Sequence, residues 1–263
     1  MKDEMNKIIH EDLKEMVNKN DEITSALLTG NTICTLIKTS DFNIILDAGN
    51  GISKLSYFID EDKPSYLFIS HFHLDHVEGL HTMCLNKFPK GLGIIVHEGG
   101  KKYLEDLMRM PYMCPLDTLG FTTEIIETGE HECKLPFKAT FLPMQHSPLS
   151  QGMRMELDGV TIAYCLDTGY CENVVELARN ADLLIIECTL KPGAVSASHL
   201  NPENCARIAN EACVRKLALT HFEGKSYPDM ETRLETEEFV KRLFINTFIC
   251  RDGMEIALRN PSK

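Results

Sequence analysis

Residues 71–76 read HFHLDH, so four side chains that can bind a metal ion lie within six positions. The apolar stretch 66–69 ends one residue before them and predicts a buried strand that leads into this cluster. Imidazole and carboxylate groups are ligands for zinc and similar divalent ions, and alternate side chains of a turn can face two different ions. We interpret the segment as a metal-binding site rather than as a solvated polar loop.

Three further potential metal ligands each follow a predicted strand elsewhere in the chain, and they are His146, Asp167 and His221. We expect one edge of the fold to bring them to the 71–76 cluster. The seven side chains together provide ligands for two metal ions, and one carboxylate can bridge the ions. Asp47 also ends a predicted strand, and it is either an ordinary turn aspartate or a group that orients a ligand histidine.

Short predicted strands alternate with predicted helices, and this order indicates a mixed α/β architecture. Residues 1–263 fit one domain, with an amphipathic N-terminal helix appended within residues 1–20. The first strands come in quick succession and predict an antiparallel meander. The predicted strands are 23–28, 33–37, 43–46, 66–69, 93–96, 121–126, 137–142, 152–157, 160–165, 183–186 and 217–220, with more strand structure within 247–258. The predicted helices after residue 20 are 77–85, 101–110, 172–180, 202–213 and 231–244.

Charge and composition limit the partners and the compartment. The formal net charge is −12 and the basic residues come in pairs rather than in broad clusters, so extended nucleic-acid binding is disfavoured. No stretch approaches the roughly 20 apolar residues of a membrane span, and the acidic start of the chain differs from a secretory signal. The ten cysteines are scattered and form no C-x-x-C pair, so we expect them to be reduced. These features predict a cytoplasmic protein that does not bind membranes.

The pattern around the candidate ligands resembles that of the metallo-β-lactamase-fold hydrolases, and within them the ribonuclease Z-like phosphodiesterase branch. The resemblance spans about residues 30–221, with an echo of the family's last strand around Gly253. The matching motifs are HxHxDH at 71–76, HSPLSQGMR from His146, LDTG around Asp167, LTHF around His221, NTIC from Asn31 and LDAG around Asp47.

This resemblance implies a metallo-β-lactamase fold, which is an αββα sandwich of two facing mixed β-sheets flanked by helices. It also implies two groups of ligands around a bridging aspartate. These are His71, His73 and His146 for one ion, Asp75, His76 and His221 for the other, and Asp167 as the bridge. Dimers are common in this family, so the resemblance leaves a homodimer open.

Two details narrow the branch of the family. His199 lies 22 positions before His221, where ribonuclease Z-like enzymes carry an additional histidine that lactamases and thioester hydrolases of the fold generally lack. In phosphodiester cleavage such a group protonates or stabilises the leaving oxygen, and a surface helix-cap histidine is the alternative interpretation. Only 21 positions separate His146 from Asp167, too few for the long arm of the tRNA 3′-processing enzymes. The short interval and the acidic charge argue against tRNA as the substrate.

We therefore predict a metal-dependent hydrolase, a phosphodiesterase that uses a hydroxide bridging two metal ions on a small or cyclic phosphodiester or a short nucleic-acid end. The predicted catalytic residues are His199, Asp75 and Asp167. Zinc is the expected metal because nitrogen ligands dominate, with manganese and iron as alternatives, and the sequence has no fingerprint of a nucleotide cofactor. Three other functions stay open: a lactone or thioester-type hydrolase on the same site, a true tRNA 3′-processing endonuclease, and an inert metal-binding module.

Overall fold

The computed structural model describes residues 32–129 and 134–258, which form two β-sheets with helices on their outer faces. The strand order of the first sheet is β1-β2-β3-β4-β5, in which β1 runs antiparallel to β2 and the remaining pairs are parallel. Its strands are β1 Thr35–Lys38, β2 Asn43–Leu46, β3 Ser65–Phe68, β4 Leu92–His97 and β5 Thr123–Thr128.

The second sheet has the strand order β11-β10-β9-β8-β7-β6. Strands β6, β7 and β8 are antiparallel neighbours, whereas β8 to β11 run parallel to one another. The strands are β6 Lys138–Pro143, β7 Gln151–Leu157, β8 Val160–Cys165, β9 Leu183–Glu187, β10 Leu217–Thr220 and β11 Thr247–Ile249. Both sheets are therefore mixed.

Strand β2 shows how the layers pack. Ile44 and Leu46 point between the sheets, where they share an apolar cluster with Phe68 of β3 and Tyr164 of β8. Ile45 lies between them in sequence and packs into a different cluster on the outer face of the first sheet. Because successive side chains of a strand point to opposite faces, a strand covered on both sides is apolar at nearly every position.

Helices cover both outer faces. Leu104 of the helix Lys101–Leu107 packs on the first sheet, and Leu177 of the helix Glu172–Ala178 and Ile208 of the helix Pro202–Glu211 pack on the second. The α-helices are α1 Leu74–Val77, α2 Lys101–Leu107, α3 Glu172–Ala178, α4 Pro202–Glu211 and α5 Met230–Lys241, and the 3-10 helices are Asn50–Tyr57, Glu78–Leu85 and Leu116–Thr118. The predicted αββα sandwich is confirmed.

Two predicted elements differ in the structure, and the 3-10 helices Asn50–Tyr57 and Leu116–Thr118 were not predicted. The helix predicted over 77–85 is a 3-10 helix from Glu78, preceded by the single α-helical turn α1, so the end of the 71–76 cluster is helical rather than a loop. The predicted strand structure within 247–258 is limited to β11, because this edge strand pairs only with β10 and the chain turns at Gly253 with a φ of 70°. The predicted helix within residues 1–20 and the strand 23–28 lie outside the described residues.

Two further expectations from the sequence concern the cysteines and membrane-spanning helices. The nine cysteines that the described part of the chain contains are all free. None of its helices combines the length and the apolar character needed to cross a bilayer. The single-domain organisation over residues 1–263 stays a prediction.

Candidate metal centre

All seven predicted ligand residues meet at one edge of the sandwich. The loop after β3 and the single turn α1 carry residues 71–76, while His146 follows β6, Asp167 follows β8 and His221 follows β10. Both sheets thus contribute side chains to the same small volume. Residues as far apart in sequence as His76 and His221, which are separated by 145 positions, approach within 3.3 Å through their Nε2 atoms.

Three histidines form the first group of donor atoms: His71, His73 and His146. His146 Nε2 lies 3.0 Å from His73 Nδ1, and the His71 ring centroid lies 4.6 Å from that of His73 and 4.9 Å from that of His146. The Nδ1 atom of His146 donates to the carbonyl oxygen of Ser198 at 3.1 Å. Since a neutral imidazole carries one proton, His146 Nε2 then presents a lone pair to the group.

The second group of donor atoms consists of Asp75, His76 and His221. Asp75 Oδ2 lies 3.0 Å from His221 Nε2 and 3.6 Å from His76 Nε2. Burial alone lowers the pKa of His221, but the hydrogen bond to Asp75 and the negative charge of Asp167 outweigh it and raise this pKa to about 9. The same hydrogen bond holds the pKa of Asp75 well below its usual range. His221 must therefore release its proton before it can bind a metal ion.

Asp167 lies between the two groups and is 3% exposed. Its Oδ2 is 3.9 Å from His146 Nε2, and its Oδ1 is 3.4 Å from His221 Nδ1 and 3.6 Å from His76 Nε2. Burial raises the pKa of this carboxyl to about 6. A single carboxylate therefore reaches nitrogen atoms of both groups, which is the geometry that a bridging ligand requires.

Two buried atoms of the cluster support a fit to a metal ion. His71 Nε2 and Asp167 Oδ1 make no hydrogen bond among the described residues. Buried polar atoms without a partner are rare, and each one calls for an explanation such as a bound ion. Burial and the neighbouring His76 lower the pKa of His71 to about 2, so this imidazole is neutral, as a ligand must be. Mainly nitrogen donors with few carboxylates suit zinc and related divalent ions.

Asp47 lies beneath the second group and is wholly buried. Its Oδ2 accepts hydrogen bonds from Tyr164 Oη at 2.7 Å, from Ser70 Oγ at 2.8 Å and from His76 Nδ1 at 2.9 Å, and its Oδ1 accepts one from the Ser70 backbone N–H at 2.7 Å. Because Nδ1 of His76 is engaged, its Nε2 faces the other donor atoms with a lone pair. These contacts favour an orienting role for Asp47 over that of an ordinary turn aspartate.

His199 lies beside the first group, with its ring centroid 4.9 Å from that of His146. Its Nδ1 donates to the Glu187 carboxylate, whose Oε1 and Oε2 lie 3.1 Å and 3.2 Å away. This hydrogen bond raises the pKa of His199. The alternative of a helix-cap histidine is wrong, because the side chain that caps α4 is that of Asn201, which accepts from the Asn204 N–H at 2.8 Å.

Glu187 is the main candidate residue that the sequence analysis missed. It ends β9 and is wholly buried, and its carboxylate also accepts hydrogen bonds from the backbone N–H groups of Thr168 at 2.6 Å and Leu200 at 3.2 Å. The sequence did contain a signal for Glu187. It directly follows the apolar run 183–186, which predicts burial, and a buried acidic residue needs partners for its charge. Tyr164 was missed as well, since it lies inside an apolar strand.

Comparison with known proteins gives the family. A family model described as the beta-lactamase superfamily domain matches residues 42–222. The probable metallo-hydrolase YhfI of Bacillus subtilis is 26% identical over 198 aligned positions, covering 71% of this chain and 78% of that protein. Ribonuclease Z of Sulfolobus acidocaldarius is 27% identical over 266 aligned positions, covering 81% of this chain and 88% of that protein.

Solved structures show the same fold. The crystal structure of the metallo-beta-lactamase fold protein YhfI from Bacillus subtilis aligns with a TM-score of 0.69 at 24% identity, over 85% of this chain and 90% of that one. Human tRNase Z, short form, aligns with a TM-score of 0.65 at 19% identity, over 87% of this chain and 93% of that one. The matched range 42–222 contains both donor groups together with Asp167 and His199. The chain therefore belongs to the beta-lactamase superfamily, as a ribonuclease Z-like metallo-hydrolase with the metallo-β-lactamase fold.

Proposed function

We propose that the protein is a metal-dependent phosphodiesterase that acts on a small or cyclic phosphodiester or on a short nucleic-acid end. The observation that carries the proposal is the hydrogen-bonded pair of His199 and Glu187 beside the candidate metal centre. Phosphodiester hydrolysis releases an oxygen leaving group that needs a proton, and a fixed histidine at the rim can supply it. The relative named ribonuclease Z is by its name a nuclease, and nucleases cleave phosphodiester bonds.

In this proposal, the two donor groups would hold two divalent ions, and Asp167 lies within reach of both groups. His71, His73 and His146 would hold one ion, and Asp75, His76 and His221 would hold the other. Zinc suits the nitrogen-rich set best, with manganese and iron as alternatives. When bound, such ions lower the pKa of water and neutralise the phosphoryl oxygens as negative charge develops.

His199 is oriented for proton transfer in this proposal. Its Nδ1 is engaged by Glu187, so Nε2 is the nitrogen that can face a leaving oxygen. The buried Glu187 carboxylate is itself fixed by two backbone N–H groups, which limits the rotation of the imidazole ring. Asp75 and Asp167 border the same site and can orient the attacking water by accepting a hydrogen bond from it.

The hairpin formed by β7 and β8 supports a small substrate. It occupies most of the interval between His146 and Asp167, and its strands are joined by the tight turn at Asp158 and Gly159. The interval therefore forms a compact part of the second sheet rather than a protruding arm. The net charge of −12 further disfavours a long polyanion as the substrate.

The substitution His199→Ala tests the proposal on zinc- and manganese-loaded protein. We expect turnover of diphenyl phosphate, which has the poorer leaving group, to fall by about 10²-fold or more, since general acid catalysis contributes roughly 10²–10⁴-fold. The loss on bis(p-nitrophenyl) phosphate should be smaller, because p-nitrophenolate departs without a proton. Metal content should stay near that of the wild type. Unchanged turnover of both esters would remove the role assigned to His199.

A second histidine and a second substrate class serve as controls. His81→Ala replaces an exposed histidine of the 3-10 helix Glu78–Leu85 and should leave turnover unchanged. A panel of lactones and thioesters, assayed with the same protein, separates the proposed reaction from hydrolysis of carboxyl-type bonds. Efficient lactone hydrolysis without phosphodiester turnover would contradict the proposal.

A further inference from the structure

We infer that Gly169 is a positioning residue for His199, because only a residue without a side chain lets the segment that carries His199 lie against the turn after Asp167. The inference rests on the proposed function, which gives His199 its role in proton transfer. Gly169 is buried and follows Asp167 by two positions, whereas the segment 197–199 comes from the long loop between β9 and α4.

The approach of the two backbones leaves no space for a methyl group. A Cβ atom built on Gly169 would lie 2.0 Å from the Ala197 carbonyl oxygen, 2.7 Å from its carbonyl carbon and 3.3 Å from the Ser198 nitrogen. Real Cβ contacts are essentially never shorter than 3.0 Å, and a backbone atom cannot rotate out of the way as a side chain can. The φ of Gly169 lies outside the left-handed region, so alanine can adopt this backbone conformation. The obstacle to alanine is therefore the steric conflict with the segment 197–198.

Gly169 cannot easily retreat from this contact. Its backbone N–H donates to the Gln145 carbonyl oxygen at 2.8 Å, and the preceding N–H, that of Thr168, donates to Glu187 at 2.6 Å. Gln145 directly precedes His146, so the turn is tied to the first donor group on one side and to Glu187 on the other. A side chain at 169 would therefore displace the segment 197–199 instead.

That segment joins His199 to the rest of the site. The Ser198 carbonyl oxygen accepts from His146 Nδ1 at 3.1 Å, His199 donates to Glu187, and the Leu200 N–H donates to the same carboxylate at 3.2 Å. Relief of the conflict at position 169 needs a shift of about 1 Å, and a misplacement of that size in a catalytic group can cost about 10²-fold in rate. Gly169 thus acts on the reaction through the position of His199.

The test compares Gly169→Ala with Gly120→Ala at saturating metal concentration. A Cβ atom built on Gly120 would meet no heavy atom within 4 Å, and its φ is not left-handed, so its substitution controls for the added methyl group. We expect Gly169→Ala to lose about 10²-fold on diphenyl phosphate and clearly less on bis(p-nitrophenyl) phosphate. Gly120→Ala should match the wild type on both esters. A merely structural role for Gly169 would lower both rates by the same factor, and that result would overturn the inference.

The double variant Gly169→Ala/His199→Ala gives a second readout. If Gly169 acts through His199, the double variant should be no slower than His199→Ala alone, since residues that act as a unit are not additive. Losses that multiply would overturn the inference. The two proposals fail in different ways: an unimpaired His199→Ala contradicts the proposed function, whereas an impaired His199→Ala beside an unimpaired Gly169→Ala contradicts only the role of Gly169.

A milder variant covers the case in which Gly169→Ala does not fold. Ser196 Oγ accepts a hydrogen bond from the Ser198 N–H at 3.1 Å, so Ser196→Gly loosens the same segment without adding an atom. Circular dichroism and thermal unfolding would establish that this variant is folded. Its rate loss should again be larger on diphenyl phosphate than on bis(p-nitrophenyl) phosphate, but smaller than that of Gly169→Ala. Equal losses on the two esters would overturn the inference.

Discussion

The two donor groups of the candidate metal centre are held in different ways. The second group lies on Asp47, a buried carboxylate with hydrogen bonds to Ser70, His76 and Tyr164 within the layer between the sheets. No carboxylate hydrogen-bonds directly to the first group among the described residues: His71 Nδ1 lies 3.1 Å from Ser70 Oγ, and His146 Nδ1 donates to the Ser198 carbonyl oxygen in the loop before α4. The second group is thus fixed directly by a buried carboxylate, whereas the first group reaches that carboxylate through Ser70 and also depends on a loop for the position of His146.

The two donor groups also differ in the pKa shifts of their histidines. Burial and the histidine neighbours lower the pKa of His71, whereas the hydrogen bond to Asp75 and the charge of Asp167 raise the pKa of His221. A ligand that is oriented by a buried carboxylate is a better donor and keeps its tautomer. We therefore expect the group of Asp75, His76 and His221 to hold its geometry, and its ion, more firmly than the group of three histidines.

The largest expected effect comes from Asp47→Ala. The substitution leaves Ser70, His76 and Tyr164 as buried groups without their acceptor, and removing one partner from a buried polar cluster costs about 3–5 kcal/mol in the free energy of unfolding. Urea unfolding of the purified variant measures this loss. Asp62→Ala, at an exposed aspartate, is the matched control and should unfold like the wild type. A variant as stable as the wild type would show that Asp47 does not support the second group.

An intermediate effect is expected from ligand substitution in each half. His146→Ala should leave about one ion per chain, since the group that Asp47 supports keeps its three ligands. His221→Ala should lower the metal affinity of the second group, because it removes one of its three ligands and the partner of Asp75. Elemental analysis after gel filtration measures both. Retention of two ions by His146→Ala would remove this residue from the ligand set, and loss of all metal would contradict the independence of the halves.

The smallest expected effect comes from Tyr164→Phe, which removes one of the hydrogen bonds to Asp47 and little volume. A net loss of about 1 kcal/mol in the free energy of unfolding and of about 10-fold in metal affinity is expected. Chemical denaturation and a competition assay with a metal chelator measure the two quantities. Tyr103→Phe changes an exposed tyrosine in the same way and is the control. Equal metal affinity in the two variants would show that Tyr164 has no influence on the centre.

The sequence was sufficient to predict which side chains come together at the candidate site and to raise Asp47 as a possible support, but it did not indicate the other residues that hold them. Residues 71–76 are contiguous, and His146, Asp167 and His221 each follow an apolar strand, so local pattern was enough. The bond from Tyr164 to Asp47 spans 117 positions and crosses from one sheet to the other, which periodicity within a strand cannot indicate. The same limit applies to Gly169, whose close neighbour is a backbone atom of a distant loop.

The sequence predicted strands well where apolar runs were bounded by turns. It predicted them less well where strand formation depended on pairing with a distant strand. Strands β7 and β8 follow from alternation around the turn at Asp158 and Gly159. Beyond β11 the alternation in residues 254–258 predicts a strand, yet in the described residues β11 already forms the edge of the sheet. Whether an alternating run pairs depends on the tertiary arrangement rather than on its own residues.

The centre draws residues 71–76 from the first sheet, and His146, Asp167 and His221 from the second. An ion held there is a cross-link between two layers that are otherwise joined by apolar contacts and connecting loops. A ligand that binds only the closed sandwich stabilises that state over every opened one. The metal supply of the cell would then influence how long each copy of this chain survives, in addition to how fast it works.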